Sequence, residues 1–182
     1  ASSMNQVGNL HRRMGHPGLA LSHYQRAEWI WRALLGDDHP AIARSLNNQA
    51  LLRADAGDFD SAMTLFRRGR ELRENAYGPH HTDVAGSLIH IGNLLWKTGD
   101  YAGATDSIEA GIDMLTALIG ERHPDLADAL TALAEVRKAA GDDAGAVAAS
   151  IRAEAASRGF FRYSSEGLSE WEIVRYAELR PS

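Results

Sequence analysis

The apolar residues of the chain recur at the three- and four-residue spacing of amphipathic helices, and the runs of them end at glycines. In residues 43–78, one apolar run stops at Gly57, where Asp58 is placed to cap the next helix, and a second run stops at Tyr77-Gly78. The first run comprises Leu46, Ala50 and Leu51, and the second comprises Phe59, Ala62, Met63, Phe66, Leu72 and Ala76. The segment therefore predicts a helical hairpin, with a first helix of roughly 14 residues and a second of roughly 18.

The hairpin pattern recurs every 42 residues along the chain. Glycine stands at Gly15, Gly57, Gly99 and Gly141, and alanine follows five positions later at Ala20, Ala62, Ala104 and Ala146. Small residues also recur within the first helices, at Gly8, Ala50, Gly92 and Ala134, where they let two helices approach closely. A fixed period of this length predicts a repeat array, with repeats at about 1–42, 43–84, 85–126 and 127–157.

The second repeat carries a motif that identifies a family. The motif resembles a tetratricopeptide repeat (TPR), and it consists of Leu46, Ala50, Gly57-Asp58-Phe59, Ala62, Phe66 and Gly69. The 42-residue form, with Ser45-Leu46-Asn47-Asn48 opening the first helix and Gly-x-x-His-Pro closing the second, is similar to kinesin light chains and their bacterial relatives. The resemblance covers residues 1 to about 157. It implies an all-α, TPR-like α-solenoid of four helical hairpins in a right-handed superhelix.

Two repeats depart from this pattern. Gln49 occupies a position that is apolar in the other repeats, where Val7, Ile91 and Leu133 stand. The fourth repeat has Asp143 and Ser150 at positions where aromatic residues are usual. A degenerate repeat is expected near the end of an array, where one face has no neighbouring repeat to pack on.

Residues 158–182 break the 42-residue period. We expect a connector at 159–162, followed by a short C-terminal helix from Glu170 to about Leu179 with Ser169 and Glu172 as a capping box. That helix would bury Trp171, Val174 and either Ala177 or Tyr176. The sequence Gly167-Leu168-Ser169-Glu170-Trp171-Glu172 is similar to the segment that precedes caspase-like CHAT peptidase domains in bacteria. The chain is therefore expected to be a segment of a longer protein, with a further domain after residue 182.

Composition excludes several classes of function. A net charge of −5 argues against nucleic-acid binding, because phosphate recognition needs a basic surface. The absence of cysteine excludes disulfides, thiol catalysis and cysteine-ligated zinc. No apolar run approaches the roughly 18 residues of a membrane-spanning helix, and no signal-peptide pattern precedes the first repeat. We expect a cytoplasmic protein with no membrane partner.

The histidines are the first candidates for chemistry, since His39, His81 and His123 recur once in each inter-repeat loop. Successive repeats are displaced by about 10 Å, so these three residues cannot share one metal ion. We expect each to cap the helix that follows, and the alternative is a metal at His80-His81 with Asp83. No nucleophile elbow or phosphate-binding glycine loop is present. The sequence therefore predicts no enzyme, no metal and no cofactor.

The inner wall of the array is the better candidate site, since the first helix of each TPR hairpin lines it. The predicted peptide-binding residues are Asn5, Asn9, Arg12, Arg13, Arg44, Asn47, Asn48, Leu51, Ile89, His90, Asn93, Trp96 and Lys97. Asparagine is a poor residue for a helix interior, yet its amide both donates to and accepts from a peptide backbone. The cations would receive acidic groups, and Trp96, Ile89 and Leu51 would form a pocket for one anchor residue. The resemblance to kinesin light chains implies the same kind of ligand, a short acidic peptide with an aromatic anchor.

Several alternatives stay open at this point. In one alternative interpretation the asparagines bond between adjacent first helices and hold the curvature of the array, and in another Trp96 packs on a neighbouring helix. The function is predicted to be binding of a protein or peptide partner. The alternative is an intramolecular scaffold for a CHAT peptidase-like or NTPase effector domain. A third interpretation is self-association through the N-terminal face or the tail helix, because Trp29 and Trp31 cannot both face the core.

Overall fold

The computed structural model describes the backbone of residues 1–165 and the side chains of residues 1–158. The described residues form eight α-helices, α1 (Ser2–Arg13), α2 (Pro17–Leu35), α3 (Ala41–Asp55), α4 (Phe59–Tyr77), α5 (Thr82–Thr98), α6 (Tyr101–Ile119), α7 (Pro124–Ala139) and α8 (Asp143–Ser165). Consecutive helices pair as four hairpins, which confirms the predicted all-α array of TPR-like repeats. Residues 1–114 form one compact unit, and a second begins at Leu115.

Side-chain caps start the helices where the sequence predicted them. The Nδ1 atoms of His39, His81 and His123 accept hydrogen bonds from the backbone N–H two residues later, at 3.1, 3.1 and 3.2 Å. Asp58 accepts from the N–H of Ser61 at 3.3 Å, at the start of α4. Both predictions are confirmed, because these side chains satisfy N–H groups that a helix N-terminus otherwise leaves unpaired.

Glycine ends the helices because the connecting backbone needs a positive φ angle. The periodic glycines at 15, 36, 57, 78, 99, 120 and 141 all have φ between +73° and +87°. Gly99, at φ +86°, is the left-handed residue that ends α5, and its N–H bonds to the carbonyl of Trp96 at 3.0 Å. Only glycine adopts such angles without strain, which explains why the period is so clear in the sequence.

The unit of residues 1–114 is held together by apolar contacts between adjacent hairpins. One cluster joins Ala50 and Ala54 of α3, Ala62 and Phe66 of α4, and Ile91 and Leu94 of α5. A second cluster joins Ile42, Ala43, Leu46 and Leu72, with Trp31 of α2 packed against it. Each hairpin therefore buries its apolar face on the next one, as expected of a repeat array.

Trp29 and Trp31 face different surroundings, as their two-residue spacing predicted. Trp31 packs on the second cluster, whereas Trp29 is 61% exposed beneath the guanidinium of Arg26, 5.4 Å from its ring centre. Only one of the two indoles thus contributes to the core.

In the second unit, α7 and α8 form the fourth hairpin, with Leu126, Leu130, Leu133 and Val136 of α7 buried. The connector predicted at 159–162 is wrong, because α8 continues as a helix through Ser165. Gly159 alone costs a helix only about 1 kcal/mol relative to alanine, and no proline follows it before Pro181. The predicted helix at Glu170–Leu179 and the CHAT-like sequence lie outside the described residues.

Candidate functional site

The predicted site residues of the first unit lie on α1, α3 and α5, the first helices of three hairpins. We call the surface that they form the A-helix surface. Two members of the set are not on it, because Asn5 is 2% exposed and Asn47 is 6% exposed. The prediction that these two amides face a ligand is wrong. Both side chains point at neighbouring helices instead.

Asn5 connects α1 to α3. Its Nδ2 donates to the hydroxyl of Ser45 at 3.0 Å, and its Oδ1 is buried without a partner in the described structure. This contact is the kind proposed in the alternative interpretation of the asparagines, a bond between adjacent first helices. It fixes how α1 lies on α3, because a buried polar pair tolerates little displacement.

Asn47 belongs to a network that joins three helices. With its amide oriented to satisfy both groups, Oδ1 accepts from the two terminal nitrogens of Arg73 at 2.9 and 3.3 Å, and Nδ2 donates to the carbonyl of Ala43 at 3.2 Å. Arg73, on α4, also donates to the hydroxyl of Ser87 on α5 at 2.6 Å. Burial lowers the pKa of Arg73 and nearby Arg44 adds to the shift, whereas Asp83 opposes it. The network therefore links α3 to α5 through a partly buried cation.

Sequence reasoning missed Arg73, although the period held a signal. The equivalent positions 42 residues before and after it are Trp31 and Leu115, so a cation stands where the first and third repeats have apolar residues. Gln49 is a similar case, since it is 7% exposed at an apolar position. Its Nε2 donates to Glu28 at 2.6 Å. A polar residue at a position that is apolar in other repeats indicates that a hydrogen bond replaces apolar packing there.

The cations of the A-helix surface fall into two groups. Arg12 and Lys97 both contact Asp55, at 2.7 and 3.5 Å, so a carboxylate already lies between them. Arg13 and Arg44 are exposed, and the described residues offer neither of them an ion pair. Exposed ion pairs contribute little stability, so the Arg12–Asp55–Lys97 row can rearrange around a ligand. Arg13 and Arg44 are the cations available to an incoming carboxylate.

The three remaining asparagines differ in their partners. Asn9 is exposed and accepts a hydrogen bond from the Tyr24 hydroxyl at 2.7 Å, while burial raises the pKa of that tyrosine. Asn48 is half-buried, and its Nδ2 is buried without a partner among the described residues. Asn93 is also half-buried, and its side chain makes no hydrogen bond within the described part of the chain. The amide of Asn93 is therefore available to a ligand, whereas Asn48 can offer one only its Oδ1 unless its buried Nδ2 turns outward.

The apolar members of the set are half-buried. Leu51 packs against the cluster of α3, α4 and α5, and Ile89 lies against α6, where its Cγ1 is 2.8 Å from the position a Cβ would take at Gly111. Trp96 is partly exposed on α5. These side chains have one face in the core and one toward solvent, which suits the wall of a small apolar pocket.

His90 is set apart from the other site residues by its stacking. Its ring lies parallel to Phe66, with centres 5.5 Å apart and an angle of 9° between the planes. Burial lowers the pKa of His90, and the positive charge of Arg73 adds to the shift. His90 is therefore neutral at neutral pH, and it packs as an aromatic ring.

The depressed pKa of His90 makes stability depend on pH in a defined direction. Below the ordinary histidine pKa of about 6.5, the unfolded chain takes up a proton at residue 90 that the native chain does not. The contribution of neutral His90 to the free energy of unfolding is therefore present above that pH and lost below it. Between pH 7.5 and 5.5, the wild type should lose up to about 1 kcal/mol more unfolding free energy than His90→Gln. Urea unfolding at both pH values measures this, and exposed His80→Gln is the control. Equal pH dependence in wild type and His90→Gln would contradict the assignment.

Three histidines of the first hairpin lie close together. His11 has ring contacts with His16 and His23, with ring centres 5.9 and 5.3 Å apart. Among the described side chains, no group of three or more His, Asp or Glu residues has an arrangement suited to a metal ion. None of the helices that the structure describes has the length and apolar character needed to cross a membrane.

Comparison with known proteins agrees with this architecture. Two family models, both described as tetratricopeptide repeat, match residues 1–75 and 84–125. No curated protein matches the chain in sequence. The crystal structure of BtubC (BKLC) from P. vanneervenii is similar over 91% of this chain, with 24% identity and a TM-score of 0.73, and the chain spans 64% of its length.

Two further structures show the same fold. One holds the nearly identical TPR-like repeats of a Podosopora anserina protein described as a kinesin light chain. It has a TM-score of 0.71 and 16% identity, and the match covers 93% of this chain and 77% of that one. MamA has a TM-score of 0.59 and 14% identity over 89% of this chain and 81% of its own. At these identities the likeness concerns the fold alone.

Proposed function

Because this chain belongs to the tetratricopeptide repeat family, whose repeats are generally protein-interaction modules, we propose that its A-helix surface binds an extended peptide of a partner protein. The observation that carries the proposal is the pair Asn48 and Asn93, two half-buried residues on adjacent first helices whose amides make no hydrogen bond in the described structure, although Nδ2 of Asn48 itself is buried. A partly buried polar group without a partner is unfavourable, so a ligand that supplies partners gains binding free energy there. An extended peptide backbone supplies both donors and acceptors.

The exposed cations and the apolar side chains limit the kind of peptide that we expect to bind. Arg13 and Arg44 are exposed without ion pairs in the described structure, and they favour a peptide with acidic side chains or a free carboxylate. Leu51, Ile89 and Trp96 would hold one apolar anchor of that peptide. The affinity should be modest and decrease with salt, because a flexible peptide must be ordered and part of the attraction is between charges. In this proposal the chain acts by binding, with no catalytic step.

A peptide-display selection against residues 1–182 tests the proposal. Wild type should enrich one short motif, and Asn48→Ala/Asn93→Ala should bind that motif at least about tenfold more weakly, the loss of one or two hydrogen bonds. Asn75→Ala is the matched control, because Asn75 is exposed on α4 and outside the A-helix surface. Its binding should equal that of wild type.

Two results would oppose the proposal. Equal binding by the double variant would show that the two amides do not contact the peptide. Absence of any enriched motif would favour the alternative function, a scaffold that docks on an effector domain of a longer protein.

A further inference from the structure

The three helices that form the A-helix surface are basic, although the whole chain has a net charge of −5. Helices α1, α3 and α5 carry five arginine and lysine residues and two carboxylates, Asp55 and Asp83. Asp83 lies in the first turn of α5, where the helix dipole favours a carboxylate. Asp55 is the last residue of α3, where the same dipole disfavours a carboxylate, so its position needs another explanation.

The carboxylate of Asp55 bridges a cation of α1 and a cation of α5. Its Oδ2 lies 2.7 Å from Nη1 of Arg12, and its Oδ1 lies 3.5 Å from Nζ of Lys97. The three side chains are between 34% and 45% exposed, so a ligand on the A-helix surface can reach them. Asp55 therefore lies where a carboxylate of a ligand would contact both cations.

Arg12 has a second partner that does not depend on Asp55. Burial raises the pKa of the Tyr24 hydroxyl, and Arg12 opposes this shift both through its charge and as a hydrogen-bond donor. Tyr24 is itself fixed, since it is fully buried and its hydroxyl donates to Asn9 at 2.7 Å. The guanidinium of Arg12 therefore keeps a partner if Asp55 turns away, and it can then pair with another carboxylate.

We propose that Asp55 is a specificity-determining residue, whose carboxylate occupies the position between Arg12 and Lys97 that an acidic group of the bound peptide takes over. The proposal rests on the proposed function and adds a second carboxylate position to the one at Arg13 and Arg44. Exposed ion pairs contribute little stability, so a ligand can replace both contacts of Asp55. The ligand must still approach a like charge, so Asp55 weakens the binding of acidic peptides and excludes those with few other contacts.

A different role for Asp55 would be to orient the two cations for the ligand. The substitution Asp55→Asn distinguishes the two roles, because the amide has nearly the same shape and keeps one acceptor oxygen but has no charge. If Asp55 competes with the ligand, the variant binds acidic peptides more tightly than wild type. If Asp55 orients Arg12 and Lys97, the variant binds them less tightly.

Fluorescence anisotropy with the labelled, end-blocked peptide acetyl-Glu-Glu-Trp-Glu-Glu-amide measures this effect in the full 182-residue chain. Asp55→Asn should bind the peptide about three- to tenfold more tightly than wild type at low salt, and the difference should shrink at about 0.5 M salt. Asp113→Asn is the matched control, because it removes the same charge at an exposed position of α6. Binding by Asp55→Asn that equals or is weaker than that of the control would overturn the proposal.

A second readout does not require the peptide to bind. Acetate is added at constant ionic strength, and the NMR signal of the Arg12 Nε–H group is followed, identified by its loss in Arg12→Lys. The signal should shift at least about threefold more in Asp55→Asn than in wild type or Asp113→Asn, because the position beside Arg12 is then open to a carboxylate. Equal shifts would overturn the proposal. Failure of all three proteins to bind the peptide would instead count against the proposed function, and the acetate result would still decide the role of Asp55.

Discussion

Replacing Asn47 with alanine is expected to lower the free energy of unfolding by about 3 kcal/mol, whereas the same change at Asn48 should alter it by less than about 0.5 kcal/mol. The two residues are adjacent and identical, so helix propensity and side-chain size cancel between them. Asn47 is 6% exposed and accepts from Arg73, whereas the Nδ2 of Asn48 has no partner in the described structure. The difference between the variants therefore isolates the network.

The large effect at Asn47 follows from the charge that it faces. Burial already lowers the pKa of Arg73, which shows that its positive charge is held in an unfavourable place. Removing the acceptor leaves a partly buried cation with less compensation, and breaking such an arrangement from one side costs several kcal/mol. The remaining Ser87 hydroxyl cannot replace a carbonyl oxygen that accepts two hydrogen bonds.

The companion variant Asn47→Ala/Arg73→Leu tests this cause. Leucine is the residue at the equivalent position 115, and it removes the charge together with its acceptor. The double variant should be more stable than Asn47→Ala alone, with a coupling energy of at least about 1.5 kcal/mol in a double-mutant cycle. Urea unfolding followed by circular dichroism supplies the four free energies. Additive effects would mean that Asn47 acts through packing and not through Arg73.

The asparagines show which part of the candidate site could not be predicted from the sequence. The 3.6-residue period assigned them to one side of each first helix, and this placed Asn9, Asn48 and Asn93 on the A-helix surface. Asn5 lies at the flank of that side, where α3 approaches with Ser45 at 3.0 Å. A helical period gives the direction of a side chain but not the distance to the next helix. Burial at the flank therefore depends on packing, which one sequence does not specify.

The helix ends were predictable for the opposite reason, because they depend on local chemistry. A positive φ at Gly57 or Gly99 requires glycine whatever the neighbouring hairpin does, and a capping side chain needs only the backbone two or three residues later. The continuation of α8 through residues 159–165 was not predicted, because no such local signal marks it. Neither a positive-φ glycine nor a proline interrupts residues 159–165, and the helix continues.

Two glycines of α5 are expected to respond in opposite directions to the same substitution. Gly92→Ala should lower the free energy of unfolding by about 2 kcal/mol, the typical cost of overpacking. A Cβ at Gly92 would lie 3.0 Å from the carbonyl oxygen of Ala104, a backbone atom of α6, and 2.5 Å from Cγ1 of Ile108. The isoleucine can change its rotamer, but the carbonyl moves only if α6 moves away from α5.

Gly86→Ala should instead raise the free energy of unfolding by about 0.5–1 kcal/mol, because alanine favours the helix and nothing lies within 4 Å of the added Cβ. Thermal unfolding measures both changes, and the two variants should differ by several degrees in Tm. A Gly92→Ala protein as stable as Gly86→Ala would show that α5 and α6 separate without cost. The small residue at this repeat position would then have a role other than close helix packing. The same explanation would be wrong for Gly8, where a Cβ would lie closer than van der Waals distance to the Tyr24 ring.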